Sequence, residues 1–174
     1  MPFPRLSLII GGANSGKSLF AERLCTQSGL SKAYIATAQA FDDEMRAKIK
    51  AHRDRRAPEW QTIEAPLYLV GALQQIASHQ VILVDCLTLW LSNHLLAENN
   101  LIHECDGLLA TLRDLKAPVV LVTNEVGMGI VPDTQLGRQF RAAQGTLNQR
   151  VAAEADLVVT VIAGLPLVLK GALP

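Results

Sequence analysis

Eight consecutive residues near the N-terminus have the types and spacing to bind phosphate. Gly11-Gly12-Ala13-Asn14-Ser15-Gly16-Lys17-Ser18 fits the pattern G-x-x-x-x-G-K-[ST]. Glycines let successive backbone N–H groups turn inward and approach phosphate oxygens closely. A helix that follows such a loop points its positive end at the same anion. Lys17 is expected to reach the β- and γ-phosphates of a nucleoside triphosphate, and the Ser18 hydroxyl to ligate Mg²⁺. A glycine-rich connecting turn is the bland alternative. The flanks argue against it, because an apolar run over residues 6–10 precedes the loop and a helical pattern over 17–28 follows it.

Such a loop needs a carboxylate at the end of a neighbouring apolar strand to hold the metal. Asp85, after Val81-Ile82-Leu83-Val84, supplies one. It can equally cap the helix that begins near Leu87, and the two duties are compatible. Thr88, one turn on, is a second candidate. A further strand ends in Thr123-Asn124-Glu125-Val126-Gly127-Met128-Gly129. Polar residues followed by glycines at a strand's carboxyl end suit a ligand loop. Asn124 and Glu125 are its candidates for a substrate or catalytic loop, with Glu125 able to serve as a base or a metal-linked acid. A polar loop with helix-capping residues fits the same letters.

Four histidines occur, and His79, His94 and His103 lack a partner pattern, so they read as surface or packing residues. His52 sits in Ala51-His52-Arg53-Asp54-Arg55-Arg56. Its spacing from Met45 and Ile49 puts it on one helical stripe, which suits a packed helix face. Its neighbours suit chemistry instead. Arg53, Arg55 and Arg56 can hold phosphates bidentately. They also disfavour an imidazolium, and a neutral imidazole is a nucleophile able to attack phosphorus. Spacing alone favours the packed face.

These groups must be positioned by strands and helices in alternation. Strands are expected over residues 6–10, 33–36, 81–84, 119–122 and 157–162, all rich in Val, Ile and Leu without polar alternation. Such runs suit strands buried on both faces of a parallel sheet. Helices are expected over 17–28, with Gly29 as C-cap, and over 67–78, 87–98, 102–115 and 133–155. The charged segment 42–64 opens with Asp42, Asp43 and Glu44. Its helical part ends at Arg53, Arg55 and Arg56, a polarity that complements a helix dipole, before Pro58. Trp60 reads either as a stacking partner for a base or as a packing anchor. No repeat or linker breaks the chain, so residues 1–174 read as one α/β domain.

Composition agrees. The 174 residues are 49% hydrophobic and 18% charged, as in a globular domain, and 16 basic residues balance 16 acidic ones. A neutral chain has no global field for a polyanion, so nucleic acid is not an expected partner. Cys25, Cys86 and Cys105 form no metal or disulfide pattern and are expected as buried or reduced thiols. There is no signal-peptide pattern and no run long enough to span a bilayer, so a cytoplasmic protein is expected.

Taken together, the motifs resemble those of the bifunctional adenosylcobinamide kinase / adenosylcobinamide-phosphate guanylyltransferase family of cobalamin biosynthesis. The matching pieces begin with the 11–18 loop, Tyr34-Ile35-Ala36-Thr37-Ala38 and Asp42-Asp43-Glu44-Met45. They continue through His52-Arg53-Asp54-Arg55-Arg56, Trp60, Thr62, Glu64 and Val84-Asp85-Cys86-Leu87-Thr88. The match then runs from Val122 through Asn124, Glu125 and Pro132 to Gly145, Asn148-Gln149-Arg150 and Ala155-Asp156.

The resemblance implies a P-loop NTPase fold, RecA-like, with a mostly parallel sheet flanked by helices. It implies two reactions: phosphorylation of adenosylcobinamide with ATP or GTP, then transfer of GMP from GTP to adenosylcobinamide phosphate. It implies a covalent GMP on His52. Nucleotide contacts are implied at the 11–18 loop, Ala36, Thr37, Ala38, Arg53, Asp54, Arg55, Arg56, Glu64 and Asp85. A homotrimer is implied as well. Two departures stand out. Asn14 occupies a position where the family commonly has Arg, and Pro166 is expected to shorten the final strand.

Overall fold

The structure is a computed structural model and describes residues 2–39 and 59–174. Twelve elements are described. In chain order they are β1 (Leu6–Gly11), α1 (Lys17–Gln27), β2 (Ser31–Ala36), β3 (Trp60–Glu64), α2 (Leu69–Gln74) and β4 (Gln80–Asp85). Then follow α3 (Leu87–Leu96), α4 (Leu101–Asp114), β5 (Val119–Asn124), α5 (Gln135–Glu154), β6 (Leu157–Ile162) and β7 (Leu165–Lys170). The strands form one sheet in the order β3-β2-β4-β5-β1-β6-β7. Six are parallel and β7 pairs antiparallel with β6 at one edge.

The apolar runs become strands because both sheet faces are covered. Leu6, Leu8, Ile35, Ile82, Val84 and Leu121 pack with Leu69, Leu87, Trp90, Leu108 and Leu147 on the face carrying α2 to α5. Ile9, Tyr34, Leu83, Val122, Val159 and Val161 pack with Ala21, Leu24 and Cys25 of α1 on the other. Alternate residues thus serve opposite cores, which is why no polar alternation is visible. The expected α/β class with a mostly parallel, helix-flanked sheet is the class observed.

Three expectations need correction. The helix expected over 67–78 is only Leu69–Gln74. The Leu67 carbonyl accepts from Leu69 N, Trp90 Nε1 and His94 Nε2, which holds the chain out of a helix there. Strand β3 was not expected, because Trp-Gln-Thr-Ile-Glu lies at the sheet edge and carries no apolar run. Pro166 does not shorten β6. That strand runs its full length, and Pro166 lies opposite Val161 within the edge strand β7, where a missing N–H is tolerated.

Helix ends follow local chemistry. The Asn100 side chain accepts from the amides of Ile102 and His103 at 3.1 Å each, which starts α4. Thr134 caps α5 through Gly137 N at 3.1 Å. Gly29, with φ +70°, follows α1 in the left-handed conformation its sequence position suggests. Among the described residues no helix is long and apolar enough to cross a membrane.

Candidate active site at the carboxyl edge of the sheet

Strand β1 delivers the phosphate loop at its carboxyl end, and α1 starts at Lys17. Two backbone features shape the turn. Gly16 has φ +92°, and Asn14 has φ +53°, a conformation Asn tolerates better than most side chains. Gly11 must be glycine for a different reason. A Cβ there would lie 2.5 Å from Ser15 Oγ and 2.6 Å from the Val161 carbonyl oxygen, whereas at Gly12 the space is open. The Gly164 amide donates to the Ser15 carbonyl at 2.8 Å, so the β6–β7 turn buttresses the loop.

Lys17 is buried, and its Nζ donates to the Gly12 carbonyl at 3.0 Å. The ammonium therefore folds over the loop rather than reaching into solvent. Ser18 stands in the first turn of α1, half-buried.

Register aligns the remaining candidates. Ala36 lies opposite Glu64 on one side and Asp85 on the other. Asp85 lies opposite Val122, and Gly11 lies opposite Asn124. Glu64, Ala36, Asp85, Asn124 and Gly11 therefore end five adjacent strands at one edge. With strands about 4.8 Å apart, the row spans roughly 20 Å. Ligands of open α/β sheets bind outside this edge. Glu64 is exposed there and Asp85 half-buried.

Thr37 and Ala38 follow Ala36 directly. Thr37 is fully buried, and its hydroxyl is already engaged. It donates to the Cys86 carbonyl at 2.7 Å and accepts from the Cys86 amide at 2.8 Å. Asn93 Nδ2 donates to the Thr37 carbonyl at 2.9 Å and to the Pro66 carbonyl at 2.9 Å. This side chain ties the segment after β2 to the segment after β3, while the Thr37 hydroxyl ties β2 to the turn after Asp85.

A second polar cluster fixes the end of β5. The Thr88 hydroxyl accepts from the Asn124 amide at 2.7 Å. The buried Thr123 hydroxyl donates to Asn148 Oδ1 at 2.8 Å and accepts from Gln144 Nε2 at 3.0 Å. Asn148 Nδ2 donates to the Asn124 carbonyl at 3.2 Å. Gln144 was not anticipated as part of the site, nor was the role of Asn148. Two amides four residues apart on the buried side of a helix were the available signal.

Glu125 follows β5, and its amide donates to the Gly11 carbonyl at 3.1 Å. Both carboxylate oxygens accept from the Gly127 amide, at 2.8 and 2.7 Å. The loop after β5 is thus tied to the phosphate loop.

The donor set at the cradle fits Mg²⁺. Ser18 offers one hydroxyl and Asp85 one carboxylate. Mg²⁺ is typically bound this sparsely by protein, with phosphate and water completing its shell. Among the described residues no three His, Cys, Asp or Glu side chains converge into a self-sufficient metal cage.

Other candidates fall elsewhere. His52, Arg53, Asp54, Arg55 and Arg56 lie outside the described residues. Trp60 sits at the amino end of β3, about 13 Å along the strand from Glu64. It packs edge-on against Tyr34 at 6.3 Å, which makes it a packing anchor. His79 and His103 are exposed. His94 is buried, with Nε2–H donating to Leu67 O at 3.2 Å and Nδ1 accepting from Asn99 Nδ2 at 2.9 Å. Both nitrogens serve packing. The three cysteines are free and buried.

The sequence model of the cobinamide kinase / cobinamide phosphate guanyltransferase family matches residues 7–169. The chain belongs to this family. It is 47% identical over 167 residues to the bifunctional adenosylcobalamin biosynthesis protein CobP of Pseudomonas aeruginosa, covering 94% of this chain and 96% of that one. It is 40% identical over 179 residues to the bifunctional adenosylcobalamin biosynthesis protein CobU of Salmonella typhimurium, covering 94% and 98%. Among solved structures, an ATPase of a type III secretion system superposes with TM-score 0.58 at 9% identity, over 90% of this chain and 50% of that one. A Pyrococcus horikoshii protein superposes with TM-score 0.57 at 9% identity, over 96% and 86%. At this identity the structural likeness speaks for the fold alone. Family membership makes the chain an enzyme of cobalamin biosynthesis, in a family named for a kinase and a guanylyltransferase.

Proposed function

We propose that the chain phosphorylates the hydroxyl of adenosylcobinamide with ATP or GTP, then transfers GMP from GTP to the new phosphate. The products of the second step are adenosylcobinamide-GDP and pyrophosphate. The observation that carries this reading is the cradle itself. A buried Lys17 lies over the phosphate loop, and the row of strand ends beside it includes Asp85 and Asn124.

In the first step the acceptor hydroxyl oxygen attacks the γ-phosphorus and its proton is released to water. The bond to the β-phosphate oxygen breaks, and the nucleoside diphosphate leaves with the electron pair. Lys17 offsets the charge that develops on the phosphates. In the second step an imidazole nitrogen of His52 attacks the α-phosphorus of GTP and pyrophosphate leaves. An oxygen of the corrinoid phosphate then attacks the same phosphorus, and the N–P bond breaks to free the imidazole.

Arg53, Arg55 and Arg56 are assigned to the phosphates and Asp54 to the nucleotide. Ala36, Ala38 and Glu64 line the nucleotide at the strand ends, and Thr37 shapes that wall through Cys86. Ser18 and Asp85 would hold Mg²⁺, which when bound neutralises charge across the phosphates.

The enzyme is further proposed to work in the cytoplasm as a homotrimer. Unpaired buried thiols suit a reducing compartment. The edge hairpin supports self-association, since Leu165 and Leu167 on β7 are 72% and 59% exposed. Light scattering of Leu167→Lys against the wild type tests this, a smaller particle being expected.

Mass spectrometry of reaction mixtures tests the two transfers. Adenosylcobinamide, Mg²⁺ and ATP should yield the phosphate, and added GTP should yield the GDP conjugate with pyrophosphate. Folded protein that binds nucleotide but forms neither product would overturn the proposal.

A further inference from the structure

The loop between β5 and α5 is pinned at its base and along its side, yet shows apolar side chains to water. Its root is tied to the phosphate loop by the Glu125 amide on Gly11 O, at 3.1 Å. Its first turn is closed by the Glu125 carboxylate on Gly127 N. Its side is stapled to α5 twice. The Arg141 guanidinium donates to the Gly127 carbonyl. Arg138 Nη1 donates to the carbonyls of Pro132 and Asp133, at 3.0 and 2.7 Å.

Between these staples Met128 is 92% exposed, Ile130 97% and Val131 64%. Apolar side chains grouped on the surface of a braced loop mark a binding surface. Beside them runs an open groove of about 470 Å³, lined in part by Val131, Arg138, Arg141 and Gly145.

We propose that residues 126–132 are the docking surface for the corrinoid acceptor, with Met128, Ile130 and Val131 against an apolar face of its ring. This rests on the kinase reading above. Position selects the occupant. An acceptor must bring its hydroxyl to the γ-phosphate in the cradle, so its body must rest on a wall adjoining Gly11. This loop springs from Glu125, whose amide is bonded to the Gly11 carbonyl, so it starts at that wall. Chemistry agrees with position. A corrinoid is a broad macrocycle with apolar faces and a rim of amide side arms. The loop offers an apolar tip, and the groove beside it offers guanidinium N–H groups able to donate to amide carbonyls.

The test is equilibrium dialysis of adenosylcobinamide against the wild type and the double variant Met128→Ser/Ile130→Ser. Both side chains are exposed, so the variant should fold, and thermal melting checks this. The corrinoid should bind the variant about tenfold or more weakly. ATP and GTP affinities should not change, and Met128→Leu/Ile130→Val should restore corrinoid binding. Equal corrinoid affinity in wild type and double variant overturns the proposal, as does a wild type that binds no corrinoid. A variant that loses only its oligomeric state, with corrinoid affinity intact, assigns the loop to a subunit contact and also overturns it. A wild type that binds the corrinoid normally but does not phosphorylate it would refute the kinase reading and leave the docking surface standing.

Discussion

Lys17 Nζ donates to the carbonyl oxygen of Gly12 at 3.0 Å, so the lysine is held over the loop by the loop's own backbone. A charged group placed before the phosphates arrive loses little freedom on binding. Lys17→Ala is expected to weaken triphosphate binding about 100-fold, roughly 3 kcal/mol, and to depress both transfers. Isothermal titration calorimetry and the two product assays check this. Guanylyl transfer at the normal rate in that variant would contradict a shared cradle.

The loop's shape depends on Gly11 rather than on Gly12. Gly11→Ala would press a methyl group on the Val161 backbone at 2.6 Å, which cannot move without disturbing β6. A stability loss of about 1–3 kcal/mol is expected in urea denaturation. Gly12→Ala meets nothing within 4 Å and should unfold within about 0.5 kcal/mol of the wild type.

Thr37→Val tests the clamp between β2 and the turn after Asp85. It removes a buried hydroxyl that both donates to and accepts from Cys86. The stranded backbone groups should cost about 1–3 kcal/mol. The KM for nucleotide should rise because the wall beside Asp85 shifts. A stable variant with wild-type KM would show that Thr37 positions nothing.

The strands flanking the phosphate loop and Asp85 were legible because burial on both faces demands unbroken Val, Ile and Leu, and the loop was legible from the spacing of its glycines, Lys17 and Ser18. Strands β3 and β7 were not legible, because an edge strand needs no such run. Exposed Gln61 and Thr62 give β3 the look of a loop, and Pro166 argues against a strand unless its edge position is known. The roles of Thr37, Gln144 and Asn148 were equally hidden. Their partners lie far along the chain, as with Thr37 and Cys86, and only the folded sheet brings them together.

The thiols offer a pH test. Burial, reinforced by the negative charge of Asp85, raises the Cys86 pKa from 9.0 to about 11. Burial likewise pushes Cys25 and Cys105 up. Native protein at about pH 8 should resist iodoacetamide until unfolded. The folded-state pKa lies above the unfolded value, so Cys86 has no effect on stability below about pH 9. Stability then falls as pH rises towards about 11, by at most about 3 kcal/mol from this group. Urea midpoints measured across that window check the sign. Rapid alkylation of folded protein would contradict the burial.

The central claim is that one cradle serves a second transfer through His52. Incubation with Mg²⁺ and GTP radiolabelled at the α-phosphate, followed by denaturation, tests it most directly. The account predicts a protein-bound label that is acid-labile and base-stable, as a phosphoramidate should be, and absent from His52→Ala. Folded, GTP-binding wild type that carries no label, or a His52→Ala variant that carries it undiminished, would contradict the account.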